Sequence, residues 1–340
     1  MTSEIRDTIR AEGPIAFERF MELALYGVEG FYTRAGGGSA GRRGDFITSP
    51  EVGPLFGAVV SRFLDAEWER IGRPAEFTVV DVGAGPGTLA RSVLAARPGC
   101  ADALRYVAVD VSAPQRERHP AGIESVAELP TAPFDGVVLA NELLDNLPFR
   151  LAVFDHGWRE AFVDVGTDGR FVELLSAPLD PVPSCLPATG AFGARAPLVD
   201  RAAAFVDDAR RVVRSGSVVV VDYGTPITAM LAGRSYRDWL RTYRGNERGE
   251  HYLAAPGTQD ITTDVPIDQL PEPDNVRSQA QYLQRWGIDD LVAEGKRVWE
   301  EQAARPGLEA MTMRSRISEA EALLDPGGLG GFLVAEWRSA

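Results

Sequence analysis

Cysteine, histidine and lysine are all scarce in this chain: two, three and one among 340 residues. Cys100 and Cys185 form no CxxC pair, and His119, His156 and His251 are scattered. Neither a disulfide framework nor a metal site is written in such spacings, so no metal is expected. Two thiols without a pairing pattern read as reduced cysteines of a cytoplasmic protein. Long apolar runs are missing too: none reaches the roughly 18–20 residues that a bilayer crossing needs. The first residues, Met1-Thr-Ser-Glu-Ile-Arg-Asp, lack the apolar centre of a signal peptide and carry acids that a transit peptide avoids. A cytoplasmic location with no membrane partner is therefore expected. Positive charge is also short, with 35 basic against 49 acidic residues and a net charge of −14. A surface this acidic repels phosphate backbones, which argues against nucleic acid as a partner. It would attract a basic peptide or a guanidinium group, or serve solubility alone. Lys296 is the only lysine; arginine in its place, with abundant alanine and glycine, fits a biased base composition and carries no functional reading.

What remains is the composition of an ordinary globular protein, 45% apolar and 25% charged. The length suits one large domain or two modest ones, and no fixed-period repeat is visible. Within Pro14–Ala24 the apolar positions Ile15, Phe17, Phe20, Leu23 and Ala24 suit a helix face. A glycine-rich loop over residues 26–44 follows, then a helix expected over 52–71 after Ser49-Pro50-Glu51. From Phe77 the pattern becomes strands alternating with helices: strands over 77–81, 105–110, 134–140 and 217–222, helices over 88–96 and 197–213, the last with Asp200 as its N-cap. Continuous valine runs such as Ser217-Val-Val-Val-Val-Asp222 mean strands covered on both faces, hence an α/β fold around a mostly parallel sheet. Residues 150–175 alternate instead, with breaks at His156-Gly157 and Asp168-Gly169, and read as an inserted antiparallel meander. Residues 226–273 are polar and weakly patterned and read as a substrate-facing insertion; the insertion as a whole, 226–310, is expected to be mostly loop and helix, with helices over 279–286 and 289–305, and a closing strand over 331–337 completes the chain.

The chemistry starts at Val79-Val80-Asp81-Val82-Gly83-Ala84-Gly85-Pro86-Gly87-Thr88, a strand running into a glycine turn that opens a helix. Small residues let the backbone touch a ligand and take φ values closed to other side chains, and the helix's first amides face its polar groups. Dinucleotide enzymes need GxGxxG. Here the spacing is GxGxG, with Thr88 where the third glycine belongs and Asp81 two residues before the first. A carboxylate there suits the methionine amino group of S-adenosylmethionine (SAM) and sits badly beside a pyrophosphate, so SAM is the expected cofactor and S-adenosylhomocysteine (SAH) its product. Asp110, ending the next strand, can accept both ribose hydroxyls, with Val111 beside it; its other reading is a cap on the turn at Ser112.

Two further motifs carry a resemblance. Gly44-Asp45-Phe46-Ile47-Thr48-Ser49-Pro50-Glu51 and Ala140-Asn141-Glu142-Leu143-Leu144-Asp145-Asn146-Leu147-Pro148, with Val221-Asp222-Tyr223-Gly224, Pro256-Gly257, Asp260-Ile261-Thr262 and residues 279–288, make the chain similar to the MidA-like family over about Gly13 to its end. That family includes the mitochondrial complex I assembly-factor arginine methyltransferase. The resemblance implies a class I methyltransferase fold: Rossmann-like, seven strands, mostly parallel with an antiparallel final strand, plus a helical N-terminal extension and inserted substrate-binding segments. It implies an extension over 1–75, a SAM-binding core over 76–225, an acceptor insertion over 226–310 and a closing helix and strand over 311–340. It further implies methyl transfer to arginine ω-nitrogens of a partner protein. Departures fall at Ala84 and Pro86, at Thr263-Asp264-Val265 where relatives tend to carry Ala-His-Val, and at a shortened 266–276.

SAM brings its own leaving group, so the protein mainly aligns an in-line attack. A guanidinium nucleophile needs carboxylates to hold it in a fork. Glu142 and Asp145, i and i+3 at the end of the strand over 134–140, would share a face if a helical turn begins there; they could equally be ordinary acids at a helix start. Asn141 can offer its carbonyl to an amine and lies near the cofactor. By resemblance Asp45, Thr48, Ser49, Pro50 and Glu51 fold over the cofactor as a lid, with residues 36–44 allowing movement; a plain helix cap explains Ser49 and Glu51 as well. Asp45, Glu51, Asp222 and Tyr223 are assigned to the acceptor side, and His156 to an exposed hairpin tip. Other readings stay open: methylation of a small molecule at O or N, a SAM-binding assembly factor without turnover, and an NAD-linked oxidoreductase. The acceptor is unnamed by the chain, and a homodimer is left open.

Overall fold

The computed structural model describes residues 3–34, 48–245, 247–303 and 307–339, side chains 308 and 309 excepted. Seven strands build the central sheet: β1 (Phe77–Val82), β2 (Leu104–Val109), β3 (Glu124–Val126), β4 (Phe134–Asn141), β5 (Val213–Asp222), β6 (Asn275–Ser278) and β7 (Leu333–Ser339). Their order is β3-β2-β1-β4-β5-β7-β6. β1 runs parallel to β2 and β4, β4 parallel to β5, and β7 is antiparallel between β5 and β6. The valine runs explain this placement. Side chains alternate across a strand, so Val80, Val138 and Val220 enter one core while Val79, Val137 and Val219 enter the other. A sheet apolar on both faces must be covered twice.

Helices supply both covers. On the first face lies α5 (Asp200–Val212), with α1 (Ser3–Glu12) and α2 (Phe17–Tyr26) joining the same core by packing on the meander; on the second lie α3 (Pro54–Arg70), α4 (Thr88–Ala96), α6 (Gln279–Arg285), α7 (Ile288–Gln302) and α8 (Leu308–Leu324). The α1 helix, which the pattern reading passed over, buries only Ile5 and Ile9, four residues apart. The meander forms three strands, Arg150–Phe154, Trp158–Val165 and Phe171–Pro178, turning at His156-Gly157 and Asp168-Gly169. Two short strands, Ile15–Ala16 and Arg195–Leu198, join it.

Three expectations need correcting, and one set of strands is new. The helix over 52–71 is two: Ser49–Val52 makes one turn, Gly53 is extended, and Pro54 starts α3. Proline lacks the N–H that would continue the first helix and is well suited to open the second. Asp200 does not cap α5. It is the helix's first residue after Val199, because Pro197 belongs to the Arg195–Leu198 strand. The helix expected from residue 14 begins at Phe17, Ile15–Ala16 having paired with the meander. Residues 226–273 are largely loop and short helical turns, and they also hold strands that the pattern did not mark. Leu240–Arg244, Glu247–Arg248 and Asp260–Thr263 form a three-stranded sheet whose threonines and tyrosine are good strand formers. Just beyond, Asn275–Ser278 enters the central sheet as β6. Among the described residues no helix is long and apolar enough to cross a membrane.

Candidate active site

A cavity of about 380 Å³ opens at the carboxyl ends of β1, β2 and β4, the edge where open parallel sheets present ligand sites. Its floor is the glycine turn. Gly83, Gly85 and Gly87 have φ of +74°, +53° and +78°, the left-handed region that strains any other residue. A Cβ on Gly83 would lie 3.1 Å from Leu143 Cδ1, and one on Gly87 2.8 Å from Pro120 Cδ. Asp110 pins the turn: Gly85 N–H donates to its Oδ2 and Ser112 N–H to its Oδ1, both at 2.8 Å. Asp110 thus caps the Ser112 turn and also lines the cavity. His119 braces the far side, Nε2 at 2.9 Å from the Gly85 carbonyl and Nδ1 at 2.8 Å from Ser125 Oγ.

Asp81 is 3% exposed yet reaches the cavity wall. Tyr106 donates its hydroxyl to Asp81 Oδ2 at 3.0 Å, and burial pushes the Asp81 carboxyl up to about 7. Ala84, Thr88, Val111, Thr48, Pro50 and Glu51 also line the cavity. Thr88 donates its hydroxyl to Glu51 Oε1 at 2.5 Å, tying the turn after Thr48 to the first turn of α4. Gly87 and Ser49 lie behind the wall. Ser49 is fully buried, donating N–H to Glu142 Oε1 at 3.2 Å and its hydroxyl to Gln279 Oε1 at 2.7 Å, so it straps the chain down and does not cap a helix. Asp45, and the glycine-rich stretch expected to hinge a lid, lie outside the described residues.

Beyond β4 the chain makes a strained corner. Glu142 has φ +51°, a conformation that costs a side-chain-bearing residue roughly 1–2 kcal/mol. Its N–H is held by the Val221 carbonyl at 2.8 Å, and its Oε1 accepts from Asn141 Nδ2 at 3.1 Å and from Ser49. Both Asn141 and Glu142 line the cavity, and Asn141 Oδ1 is buried with no hydrogen-bond partner. The helical turn comes only afterwards, as a 3-10 turn over Leu144–Asn146. Glu142 and Asp145 therefore do not share a helix face: Glu142 is on the wall, while Asp145, 3% exposed, lies behind it.

Asp222 and Tyr223 are also behind the wall. Asp222 accepts the N–H groups of Leu144 (2.8 Å), Asp145 (3.2 Å) and Tyr223 (2.8 Å), acting as the cap of that turn. The Tyr223 ring packs 4.1 Å from Phe332, with the Arg241 guanidinium 4.6 Å above it. Arg241 in turn meets Asp264, one of the departures noted above, at 2.8 Å. Burial pushes Glu142 and Asp222 each up to about 8, with the charge of Asp145 adding to the first and that of Glu142 to the second. Asp145 is driven well above the carboxylate range by burial and then by Asp222 and Asp260, against the pull of Arg241. Carboxylates taken out of water together keep protons until a cation arrives.

Sequence reasoning gave no role to four residues found here. Tyr26 and Tyr32 line the cavity with their rings stacked, centroids 5.6 Å apart and planes 19° apart. Tyr32 O–H lies 3.0 Å from both Asn146 Oδ1 and Asp260 Oδ1, and Asn146 Nδ2 donates to Asp260 Oδ1 at 3.0 Å. Asn146 and Asp260 were inside quoted motifs; nothing in the local pattern marks the tyrosines. Among the described residues no cluster of histidine, cysteine and carboxylate side chains suits a metal ion.

This strand order, with a left-handed glycine turn after the first strand and an acid after the second, defines a class I SAM-dependent methyltransferase, whose cofactor is S-adenosylmethionine. The comparisons agree, and the chain belongs to the MidA-like family whose model, described as "Putative S-adenosyl-L-methionine-dependent methyltransferase", matches residues 59–284. A crystal structure from Burkholderia thailandensis bound to S-adenosyl-homocysteine superposes with a TM-score of 0.83 at 26% identity, covering 99% of this chain and 91% of that one. The mitochondrial protein arginine methyltransferase NDUFAF7 homolog of Drosophila melanogaster is 28% identical over 78% of this chain and 68% of its own length. That of Rattus norvegicus is 25% identical over 90% and 77%.

Proposed function

We propose that this enzyme methylates an arginine ω-nitrogen of a partner protein. One observation carries the reading: Glu142 stands on the cavity wall with Asp145 and Asp222 buried behind it, and burial and mutual repulsion hold all three toward their protonated forms. A planar cation at Glu142 would reverse that balance, and a guanidinium meets carboxylates through paired, charge-assisted hydrogen bonds. The names of the arginine methyltransferase relatives support the same acceptor.

The residues divide the work as follows. Asp110 takes the ribose hydroxyls through the lone pairs its two N–H donors leave free, with Val111 against the adenine. Asp81 faces the amino group of the methionine part, and the amides of the glycine turn face its carboxylate. The bound cofactor supplies a methyl group already activated on a sulfonium. Glu142 grips the acceptor's guanidinium, Asn141 Oδ1 accepts from the attacking nitrogen, and the two aim its lone pair along the line of the breaking carbon–sulfur bond. As the carbon–nitrogen bond forms, the nitrogen's proton passes to Glu142. Asp145 and Asp222 act through that corner: they fix the turn after Glu142 and set how readily it ionises. The acidic surface favours a partner segment that is itself basic.

The test is methyl-labelled SAM incubated with the enzyme and heat-treated cell extract, followed by acid hydrolysis and amino-acid analysis. Label is expected in ω-N-methylarginine, and Glu142→Gln is expected to abolish it while retaining SAH. Label confined to small molecules would replace this reading with small-molecule methylation. SAH binding with no label anywhere would favour a role in assembly without turnover.

A further inference from the structure

The cavity continues past the cofactor cradle to a wall that the methyl-transfer chemistry above does not use. Along the sheet, Asp110 marks the adenosine end after β2, while the far end is closed by groups that meet beyond β4. Tyr26 and Tyr32 supply the rings there, and Glu22, one turn before Tyr26 on α2, lines the cavity paired at 2.9 Å with Arg201, which lines it too. Tyr26 donates its hydroxyl to the Asn146 carbonyl at 3.2 Å, and Tyr32 O–H is placed between Asn146 Oδ1 and Asp260 Oδ1. The polar edges of both rings are thus anchored in protein, which fixes the stacked pair in place. Burial raises both phenols, Tyr32 well above its usual range, so they stay neutral at physiological pH.

We propose that the Tyr26–Tyr32 pair is the acceptor-selecting wall, against which the planar cation of the incoming residue slides before its nitrogen reaches Glu142. Ring faces attract cations through their quadrupole, and a flat guanidinium stacks where a compact ammonium does not. Asn146 and Asp260 are positioning residues that hold Tyr32 upright. This inference rests on the arginine-acceptor reading.

The experiment uses the full chain saturated with SAH and reads the binding of methylguanidine, with methylammonium as the control cation. Wild-type protein is expected to bind methylguanidine in preference to methylammonium. Tyr32→Leu and Tyr26→Leu are each expected to weaken methylguanidine roughly 2- to 30-fold while SAH affinity stays within about threefold. Tyr32→Phe keeps the ring face and is expected to retain most of the probe affinity, and it controls for folding. Methylguanidine affinity unchanged in both leucine variants would overturn the proposal and leave the arginine reading standing. SAH affinity falling in step with ring removal would overturn it too, by making the rings part of the cofactor wall. No binding of methylguanidine by the wild-type SAH complex would sink the arginine reading and this inference together.

Discussion

The two ends of the cavity are built on opposite plans. At the cofactor end polar groups are satisfied close by in the chain: Asp110 holds Gly85 and Ser112, and Asp81 meets Tyr106, all within 25 residues. At the acceptor end the partners come from far apart. Tyr32 and Asp260 are 228 residues apart, Ser49 and Gln279 are 230 apart, and Asn146 and Asp260 are 114 apart. At the cofactor end Asp110 is held by two backbone amides and Asp81 by the Tyr106 hydroxyl, whereas the acceptor end crowds Glu142, Asp145 and Asp222 together with Arg241 as the cation acting on Asp145. A rigid, pre-paired cradle suits a ligand that never changes; an unbalanced acidic corner suits one that brings its own positive charge.

The widest gap between the two plans should appear in Glu142→Gln. Methyl transfer is expected to fall about 10²- to 10⁴-fold, the range for losing a positioned acid–base group, with SAH affinity in equilibrium dialysis unchanged within about threefold. A parallel loss of SAH affinity would erase the distinction between the ends. Next comes Gly83→Val, which forces a branched side chain into φ +74° and toward Leu143. Strain of roughly 1–3 kcal/mol should weaken SAH by about 10- to 100-fold in calorimetry, whatever acceptor is offered. Asp110→Asn should cost about tenfold in SAH affinity, in line with weakening a hydrogen bond to a charged group.

A separate effect is a pH dependence of stability. Glu142 and Asp222 titrate at about 8 in the folded protein, against roughly 4 in an unfolded chain. Between those values the folded state binds more protons than the unfolded one, so stability falls as pH rises. The cofactor-free enzyme should lose melting temperature from pH 5 to pH 8.5, and Glu142→Gln should flatten that slope and be the more stable protein at pH 8.5. An identical slope in both proteins would mean that Glu142 is ionised throughout.

The same contrast explains what could be read from the chain. The valine runs, the meander's turns and the GxGxG spacing are local signals, and they led to the sheet, the hairpins and the cofactor. The strands within residues 226–273 were harder to see because they are short and polar, and local pattern does not show that Thr242, Asp260, Thr262 and Thr263 are buried. The Glu142–Asp145 pair was misjudged because three-residue spacing implies a helix, and the left-handed corner at Glu142 that cancels it is imposed by Val221 and Ser49 from distant segments. Tyr26 and Tyr32 were invisible for the same reason: nothing near them in sequence distinguishes them from core aromatics.

A crystal structure of the SAH complex tests the central claim most directly, because every assignment depends on which way the cofactor lies. The ribose should meet Asp110, the amino group should lie beside Asp81, and the sulfur should turn toward Asn141 and Glu142 with the tyrosine pair beyond it. A sulfur facing away from Glu142, or an adenine seated against Tyr26 and Tyr32, would contradict the account.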